Sequence, residues 1–189
     1  MRLIKEFIKH PSKTGSISPS SSFLSLKMLE PYTANENRGF IVELGPGTGA
    51  ITKYILEEIN DIKDFLTIEI NTNMVKHLIK KYPELDIAPI SAEYLHEYLT
   101  EKKLPKPSHI ISGLPWAVFK DELQDKILES VSTSLEENGC FTTFAYLHAL
   151  KLKSAIKFRE KLNKTFSKVE TTSPIWRNIP PAIVYHCHL

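Results

Sequence analysis

The chain has 189 residues, of which 42% are hydrophobic and 24% are charged, and its formal net charge is only +2. This composition is typical of an ordinary globular domain and argues against a disordered, fibrous or strongly nucleic-acid-directed protein. The two cysteines, Cys140 and Cys187, lie far apart and lack Cys-x-x-Cys spacing, so we expect no metal site and no disulfide framework, which fits a reducing cytoplasm.

The positive charge is concentrated in two segments. Residues 1–30 carry five basic residues against two acidic ones, and residues 151–168 carry seven against one. The rest of the chain is therefore acidic. Localised positive patches of this kind can recognise an anionic surface.

The first predicted element is a short amphipathic helix. Leu3, Ile4, Phe7 and Ile8 follow helical spacing, with polar and basic residues on the opposite face. Pro11 ends the pattern after about 15 Å of helix, too short to span a bilayer but long enough to lie in its interface. Either the helix anchors the protein to a membrane, or its apolar face packs on the core.

A run of serines at 18–22 precedes a second predicted helix. Hydroxyls and free backbone amides meet at such a helix start, so Ser20 and Ser21 are candidate ligands for a phosphate. The alternative is that they only cap the helix. We expect residues 1–38 to form an N-terminal helical segment that covers a membrane or substrate site, and residues 39–189 to form the main domain.

The most informative pattern is an apolar run, three closely spaced glycines and a later acid. Residues 40–44 are typical of a buried strand, Gly45, Gly47 and Gly49 follow it, and Glu69 ends the next apolar run. The glycines allow tight turns and close approach of a ligand to the backbone. The Glu69 carboxylate can accept hydrogen bonds from two ribose hydroxyls. The pattern predicts a site for an adenosyl group.

Spacing alone does not distinguish S-adenosylmethionine from a nicotinamide cofactor. The sequence Val-Glu-Leu-Gly-Pro-Gly-Thr-Gly resembles the first motif of Rossmann-like methyltransferases, in which an acidic residue two before the first glycine helps to shape the cofactor site; Glu43 holds that place. A chain of this length also leaves little room for the second half-sheet and substrate domain of most nicotinamide dehydrogenases. We therefore expect S-adenosylmethionine.

Further strand-like runs at 86–90, 108–112 and 140–146 alternate with helical segments, which predicts a mainly parallel sheet covered on both faces. Two last runs, 165–175 and 182–189, have no helix between them and predict an antiparallel hairpin. The expected fold class is α/β: a Rossmann-like class I methyltransferase with a mostly parallel seven-stranded sheet, an antiparallel C-terminal hairpin and N-terminal amphipathic helices.

The fourth predicted strand ends in Ser112-Gly113-Leu114-Pro115-Trp116, at the edge where open sheets bind ligands. This segment resembles the Asn-Leu-Pro-Tyr motif of adenine methyltransferases, whose first side chain helps to hold the target amine. Serine lacks the amide or carboxylate geometry for a flipped base, which argues against nucleic acid as the partner. Ser112 remains a candidate catalytic hydrogen-bonding group.

Over nearly its whole length the chain resembles the bacterial phospholipid N-methyltransferases, which convert phosphatidylethanolamine stepwise toward phosphatidylcholine. The matching pieces are the glycine loop, residues 112–115, Thr14-Gly15-Ser16-Ile17-Ser18-Pro19-Ser20-Ser21 and Trp176-Arg177-Asn178-Ile179-Pro180-Pro181-Ala182. The resemblance implies methylation of a phospholipid headgroup at an anionic membrane surface, by a cytoplasmic enzyme attached peripherally to the inner face of the cell membrane. Where the family has an acidic turn contacting adenine, this chain has Ser91-Ala92-Glu93, and Glu93 is assigned that contact.

The implied reaction is in-line attack by an uncharged amine on a sulfonium methyl, helped by positioning and by loss of the amine's extra proton. Tyr146, at the end of the fifth strand, is the candidate that orients the amine, or else a core aromatic. Trp116 is a candidate contact for a methylated ammonium, with core packing as the alternative. Arg177 is the candidate for the lipid phosphate, with Asn178 shaping the loop.

Two other functions stay open. One is a ribosomal RNA adenine N6-dimethyltransferase-like enzyme, which should have asparagine where this chain has Ser112. The other is a membrane-associated protein that binds S-adenosylmethionine without catalysis. The sequence leaves the oligomeric state and the number of methyl groups transferred undecided.

Overall fold

The computed structural model describes residues 21–35 and 38–189. The predicted N-terminal amphipathic helix and Ser20 lie outside these residues. The described helices are α1 (Ser22–Thr33), α2 (Thr52–Glu58), α3 (Thr72–Lys81), α4 (Leu95–Lys102), α5 (Asp121–Ser134) and α6 (Lys153–Thr165). The strands are β1 (Ile41–Leu44), β2 (Phe65–Ile68), β3 (Asp86–Ala88), β4 (His109–Ser112), β5 (Cys140–Tyr146), β6 (Lys168–Thr171) and β7 (Ala182–His188).

The seven strands form one sheet in the order β3-β2-β1-β4-β5-β7-β6. Strands β1 to β5 are parallel, and β7 runs antiparallel to both β5 and β6. This topology confirms the expected Rossmann-like class I methyltransferase fold with its antiparallel C-terminal pair. Strand β6 is shorter than predicted because α6 continues to Thr165 and Pro174, which lacks a backbone N–H, follows soon after Thr171.

Apolar side chains cover both faces of the sheet. Neighbouring positions alternate between the two layers, so Val42 and Ile110 pack toward α4, α5 and α6, whereas Ile41 and Ile111 pack toward α1 and α2. All four residues are fully buried. Continuous burial along a short strand is typical of a parallel sheet between two helical layers.

Helix α1 begins within the serine run. The Oγ atom of Ser21 accepts a hydrogen bond from the backbone N–H of Leu24 at 3.3 Å, as in a standard N-cap. Leu24, Met28 and Leu29 are fully buried against the sheet. Helix α1 is therefore part of the core layer. No described helix is long and apolar enough to cross a membrane.

The parallel strands all end at one edge of the sheet, called here the carboxyl edge. Because β7 is antiparallel to β5, Ala182 pairs with Tyr146 and the loop 172–181 lies at this same edge. The N–H of Leu147 donates to the carbonyl of Pro181 at 2.9 Å. The N–H of Ser21 donates to Oδ1 of Asn178 at 2.9 Å, which places the start of α1 beside the loop.

Candidate active site at the carboxyl edge

The glycine loop follows β1. Gly45, Gly47 and Gly49 have φ angles of 71°, 55° and 80°, a region that side chains with a Cβ rarely occupy. A Cβ atom placed on Gly47 would meet nothing within 4 Å. The outer side of the loop is therefore open to a ligand, and the backbone there is accessible at close range.

Glu69 follows β2 and faces the glycine loop. Its carboxylate accepts hydrogen bonds from the N–H of Gly47 at 3.1 Å and of Asn71 at 2.8 Å. Burial raises the pKa of Glu69, and these two hydrogen bonds oppose the rise. Only 8% of the residue is exposed. The acid is thus fixed beside the open side of the loop, in position to accept hydrogen bonds from ribose hydroxyls.

Glu43 lies beneath the loop and is fully buried. Its Oε2 atom accepts a 2.6 Å hydrogen bond from the hydroxyl of Thr52, whereas Oε1 has no hydrogen-bond partner among the described residues. Burial raises its pKa to about 8, and the nearby Glu69 charge adds to the rise. A buried acid with an unused oxygen is suited to a cationic ligand, whose charge would favour the carboxylate.

The turn after β4 packs directly against the glycine loop. A Cβ on Gly113 would lie 2.8 Å from the carbonyl oxygen of Gly45, and a Cβ on Gly45 would lie 2.7 Å from Cδ2 of Leu114. These separations are below van der Waals contact. The close approach of the two loops therefore depends on Gly113, which faces a backbone oxygen, whereas Gly45 faces the flexible end of the Leu114 side chain.

A Gly113→Ala substitution is expected to displace the glycine loop, because the added methyl group meets a backbone oxygen that cannot rotate away. We expect about tenfold weaker binding of S-adenosylmethionine and a loss of about 1 to 3 kcal/mol in stability. Calorimetric titration and thermal unfolding measure the two effects. The matched control is Gly39→Ala, before β1, where the added Cβ meets only the Ser108 side chain at 3.1 Å. Unchanged affinity in Gly113→Ala would contradict the proposed contact.

Ser112 and Trp116 lie inside the protein, which argues against the predicted catalytic role of Ser112 and agrees with the core-packing alternative for Trp116. Ser112 is fully buried, and its Oγ atom accepts hydrogen bonds from Leu114 N–H at 3.3 Å and from Nε1 of Trp116 at 3.1 Å. Trp116 is 4% exposed, and its ring stacks on Phe158 with centroids 4.5 Å apart. Ser112 therefore positions the turn, and Trp116 packs in the core; neither faces a headgroup.

Tyr146 and Glu93 lie at the carboxyl edge on either side of the glycine loop. Tyr146 is partly buried; its ring contacts Phe144 edge-on at 5.4 Å and stacks on His148 at 5.7 Å. Burial raises the pKa of Tyr146, so its phenol is neutral near pH 7. Glu93 accepts a hydrogen bond from the hydroxyl of Ser91 at 3.2 Å, on the turn after β3. Both positions are compatible with the predicted roles, which remain predictions.

Arg177 and Asn178 are neighbours in the loop before β7, but Arg177 is exposed and Asn178 is buried. The guanidinium of Arg177 lies over the exposed ring of Phe23, with 4.7 Å between Cζ and the ring centroid. Asn178 is buried; besides accepting from Ser21, it donates from Nδ2 to the carbonyl of Pro180 at 2.7 Å. Asn178 thus holds the loop from behind, as part of its predicted role, and Ser21 is engaged in capping α1. Only Arg177 of this set is presented outward.

Two residues of the site were missed by sequence reasoning. Thr52 is the described partner of Glu43, and Asn71 provides an N–H to Glu69 while capping α3. A hydroxyl at the start of the helix that follows a glycine loop, and an asparagine two residues after the acid, were the available signals. These two signals point to the site only when β1 and β2 are known to be neighbouring strands.

Taken together, the described residues suit S-adenosylmethionine. The open backbone of the glycine loop would let the cofactor approach closely. The fixed Glu69 carboxylate would hold its ribose, and the unused oxygen of buried Glu43 suits its cationic part. Glu93, on the turn after β3, would contact its adenine. Within the described ranges, no group of three His, Cys, Asp or Glu side chains could hold a metal ion.

Comparison with known proteins agrees with this site. The family model for "Histidine-specific methyltransferase, SAM-dependent" matches residues 26–153, more than half of the chain. An ornithine lipid N-methyltransferase from Singulisphaera acidiphila is 26% identical over 187 residues, which cover 96% of this chain and 92% of that protein. Ribosomal RNA small subunit methyltransferase A from Malacoplasma penetrans is 27% identical, over 84% of this chain and 67% of that protein.

The fold also matches solved structures. The precorrin-8W decarboxylase structure from Methanobacterium thermoautotrophicum superposes with a TM-score of 0.66 at 19% identity and covers 98% of both chains. A TehB-like SAM-dependent methyltransferase from Corynebacterium glutamicum gives a TM-score of 0.63 at 11% identity. The fold, the acid-flanked glycine loop and the family match agree: the chain belongs to the family described as "Histidine-specific methyltransferase, SAM-dependent", and S-adenosylmethionine is its cofactor.

Proposed function

We propose that this methyltransferase acts on the headgroup amine of a membrane lipid at the inner face of the cell membrane. Phosphatidylethanolamine and its methylated intermediates are the expected substrates, and ornithine lipid is the alternative lipid acceptor. The observation that carries this proposal is the similarity to an ornithine lipid N-methyltransferase along 96% of this chain and 92% of that protein. The ribosomal RNA methyltransferases that we compared match shorter parts, between 36% and 84% of this chain.

S-adenosylmethionine, when bound, supplies an electrophilic methyl group on a sulfonium. Tyr146 then has the position for orienting the attacking amine, because its neutral phenol lies at the carboxyl edge and can accept a hydrogen bond from an amine N–H. The amine must be uncharged to attack, and water at the edge accepts its extra proton. The main contribution of the protein is therefore positioning.

Arg177 is the proposed contact for the anionic part of the headgroup. An Arg177→Lys variant is expected to raise the KM for the lipid about tenfold with little change in kcat, since lysine cannot form two parallel hydrogen bonds or stack on Phe23 in the same way. Initial rates over a range of lipid concentrations test this. The matched control is Arg159→Lys, at an exposed position of α6. A variant with an unchanged KM would exclude the bidentate contact.

The proposal is tested with labelled S-adenosylmethionine and four separate acceptors: phosphatidylethanolamine vesicles, ornithine lipid vesicles, unmodified small-subunit ribosomal RNA and free histidine. We expect label in one or both lipids and none in RNA or histidine. A Glu69→Ala enzyme should transfer none. Label confined to RNA or to histidine would replace the lipid proposal with that acceptor class, and label in no acceptor would contradict it.

A further inference from the structure

Charge divides the carboxyl edge into two halves. The half formed by β1, β2 and β3 carries the acids Glu69 and Glu93 above the fully buried Glu43, and Oε2 of Glu93 lies 3.6 Å from Nζ of Lys126. The other half is formed by four segments: residues 21–26, 113–120, 147–153 and 172–181. None of these segments contains Asp or Glu, and together they contain the bases Lys120, Lys151, Lys153 and Arg177.

Of the three acids at the start of α5, next to this basic half, Asp121 and Asp125 are paired and Glu122 has no ion-pair partner among the described residues. Asp121 and Asp125, in the first turns of α5, form ion pairs with Lys157 and Lys161 at 3.1 Å and 2.7 Å. The pairing neutralises these two acids, so Glu122 is the remaining acid here against the four bases Lys120, Lys151, Lys153 and Arg177. An anionic surface that approaches this half of the edge would therefore meet positive charge.

The same four segments expose an unusual amount of apolar surface. They make up less than a fifth of the described residues, yet they contribute six of the eleven large apolar side chains that are exposed: Phe23, Leu26, Val118, Leu152, Trp176 and Ile179. The two most exposed are Trp176 at 70% and Ile179 at 79%. A cluster of this kind, bordered by bases, marks an interaction surface.

The loop presents Trp176 and Ile179 in a fixed way. Asn178, between them in sequence, is 3% exposed and is tied to Ser21 and to Pro180 by its side chain. Ile175 forms a bridge with Ala182, and the N–H of Asn178 donates to the carbonyl of Ile175 at 3.2 Å. The loop is therefore anchored from behind, while its two apolar side chains point away from the protein.

We propose that these four segments form a membrane docking surface that sits on a bilayer with anionic headgroups, with Trp176 and Ile179 inserted into the interface. The proposal rests on the proposed lipid substrate, since docking here brings headgroups to the carboxyl edge. Tryptophan is suited to the boundary between headgroups and acyl chains, and neighbouring lysines gain from an anionic leaflet.

A bilayer suits this surface better than the other occupants. A second copy docked on the same surface would set four bases against four bases with no acid within the four segments. RNA would satisfy the bases, but it would leave Ile179, Leu152 and Val118 without an apolar partner. Only a surface that is anionic outside and apolar just beneath complements both features.

The first test measures binding to vesicles of phosphatidylcholine and phosphatidylglycerol, which contain no primary amine and so report docking without the reaction. A Trp176→Ser/Ile179→Ser double variant is expected to bind at least about 30-fold more weakly than the wild type. The matched control is Ile79→Ser, an equally apolar residue that is 51% exposed on α3. Equal binding of the double variant would overturn the proposal, and so would loss of binding only on removal of residues 1–20.

Tryptophan fluorescence tests the wild type directly. Trp116 is buried and Trp176 is exposed, so the difference between wild type and Trp176→Phe isolates the signal of Trp176. We expect a blue shift on vesicle addition and quenching by brominated acyl chains. An unchanged Trp176 signal on bound vesicles would overturn the proposal, as would a shift that follows self-association in sedimentation without vesicles.

Failure of docking and failure of the proposed function give different results. On a short-chain, monomeric amine lipid the double variant should keep the wild-type rate, whereas on vesicle substrate its rate should fall about 30-fold. If lipid methylation is wrong, wild type docks on vesicles and transfers to neither lipid. If docking is wrong, the double variant methylates vesicle lipid as fast as the wild type.

Discussion

Replacement of Glu69 by alanine is expected to weaken S-adenosylmethionine binding at least 100-fold. The carboxylate both fixes the glycine loop through the N–H of Gly47 and stands where two ribose hydroxyls would donate. Hydrogen bonds to a charged group contribute about 1.5 to 3 kcal/mol each, and about 1.4 kcal/mol corresponds to a factor of ten in affinity. Two lost bonds therefore account for 100-fold or more. Calorimetric titration measures the change.

Two further variants separate charge from shape. Glu69→Gln keeps the size of the side chain and one carbonyl acceptor, so we expect it to bind more tightly than Glu69→Ala and more weakly than the wild type. Glu84→Ala removes an exposed carboxylate before β3 and should leave the affinity unchanged. If Glu69→Ala binds as well as Glu84→Ala, the acid does not hold the ribose.

Acid is expected to destabilise the wild type relative to a His109→Phe variant, by up to about 3 kcal/mol between pH 6.5 and pH 4. His109 is buried at the start of β4, with its ring edge-on to Tyr32 at 5.3 Å. Burial, with added repulsion from His188 and His186, lowers its pKa from 6.5 to about 4. As the pH falls, His109 is protonated near pH 6.5 in the unfolded chain but only near pH 4 in the folded protein. Each unit of this pKa difference lowers the free energy of unfolding by about 1.4 kcal/mol at low pH. This stability is complete above pH 6.5 and is lost as the pH falls to 4.

The readout is the difference between the two proteins, because Glu43 titrates with the opposite sign. Its folded-state pKa is raised from 4.5 to about 8, so its contribution is complete below pH 4.5 and is lost as the pH rises to 8. Denaturant unfolding at several pH values should show the His109→Phe and wild-type curves converging, or crossing, toward low pH. His77→Phe, at an exposed position on α3, is the control. Parallel curves for His109→Phe would rule out this account.

The fold and the cofactor side of the site were accessible from the sequence because they depend on local backbone chemistry. Three glycines in five positions restrict the loop conformation, and all three have positive φ. An apolar run of four or five residues followed by such a loop is typical of a buried strand in a parallel sheet. Glu69 then reaches the loop because β1 and β2 pair in register, with Leu44 opposite Ile68.

The substrate side of the site could not be predicted in the same way, because it depends on the directions in which side chains point, and the sequence does not give these directions. Trp116 and Ser112 are at the predicted edge in chain position, but their side chains turn inward, where Nε1 of Trp116 also donates to Thr143 at 3.0 Å. That partner lies 27 residues away on β5, so its proximity follows only from the pairing of β4 with β5. The same holds for Asn178, whose partner Ser21 is 157 residues distant.

The reversed direction of β7 has a consequence for how such an enzyme can diversify. Had β7 run parallel to β5, its connection from β6 would have required a crossover and entered from the opposite edge. The reversal lets one helix-free stretch, residues 172–181, begin and end at the carboxyl edge. That stretch can change in length and chemistry without altering a single residue around the glycine loop. Because Arg177 in this loop is the proposed headgroup contact, exchanging the loop between related enzymes should change the preferred acceptor, while the methyl donor stays the same.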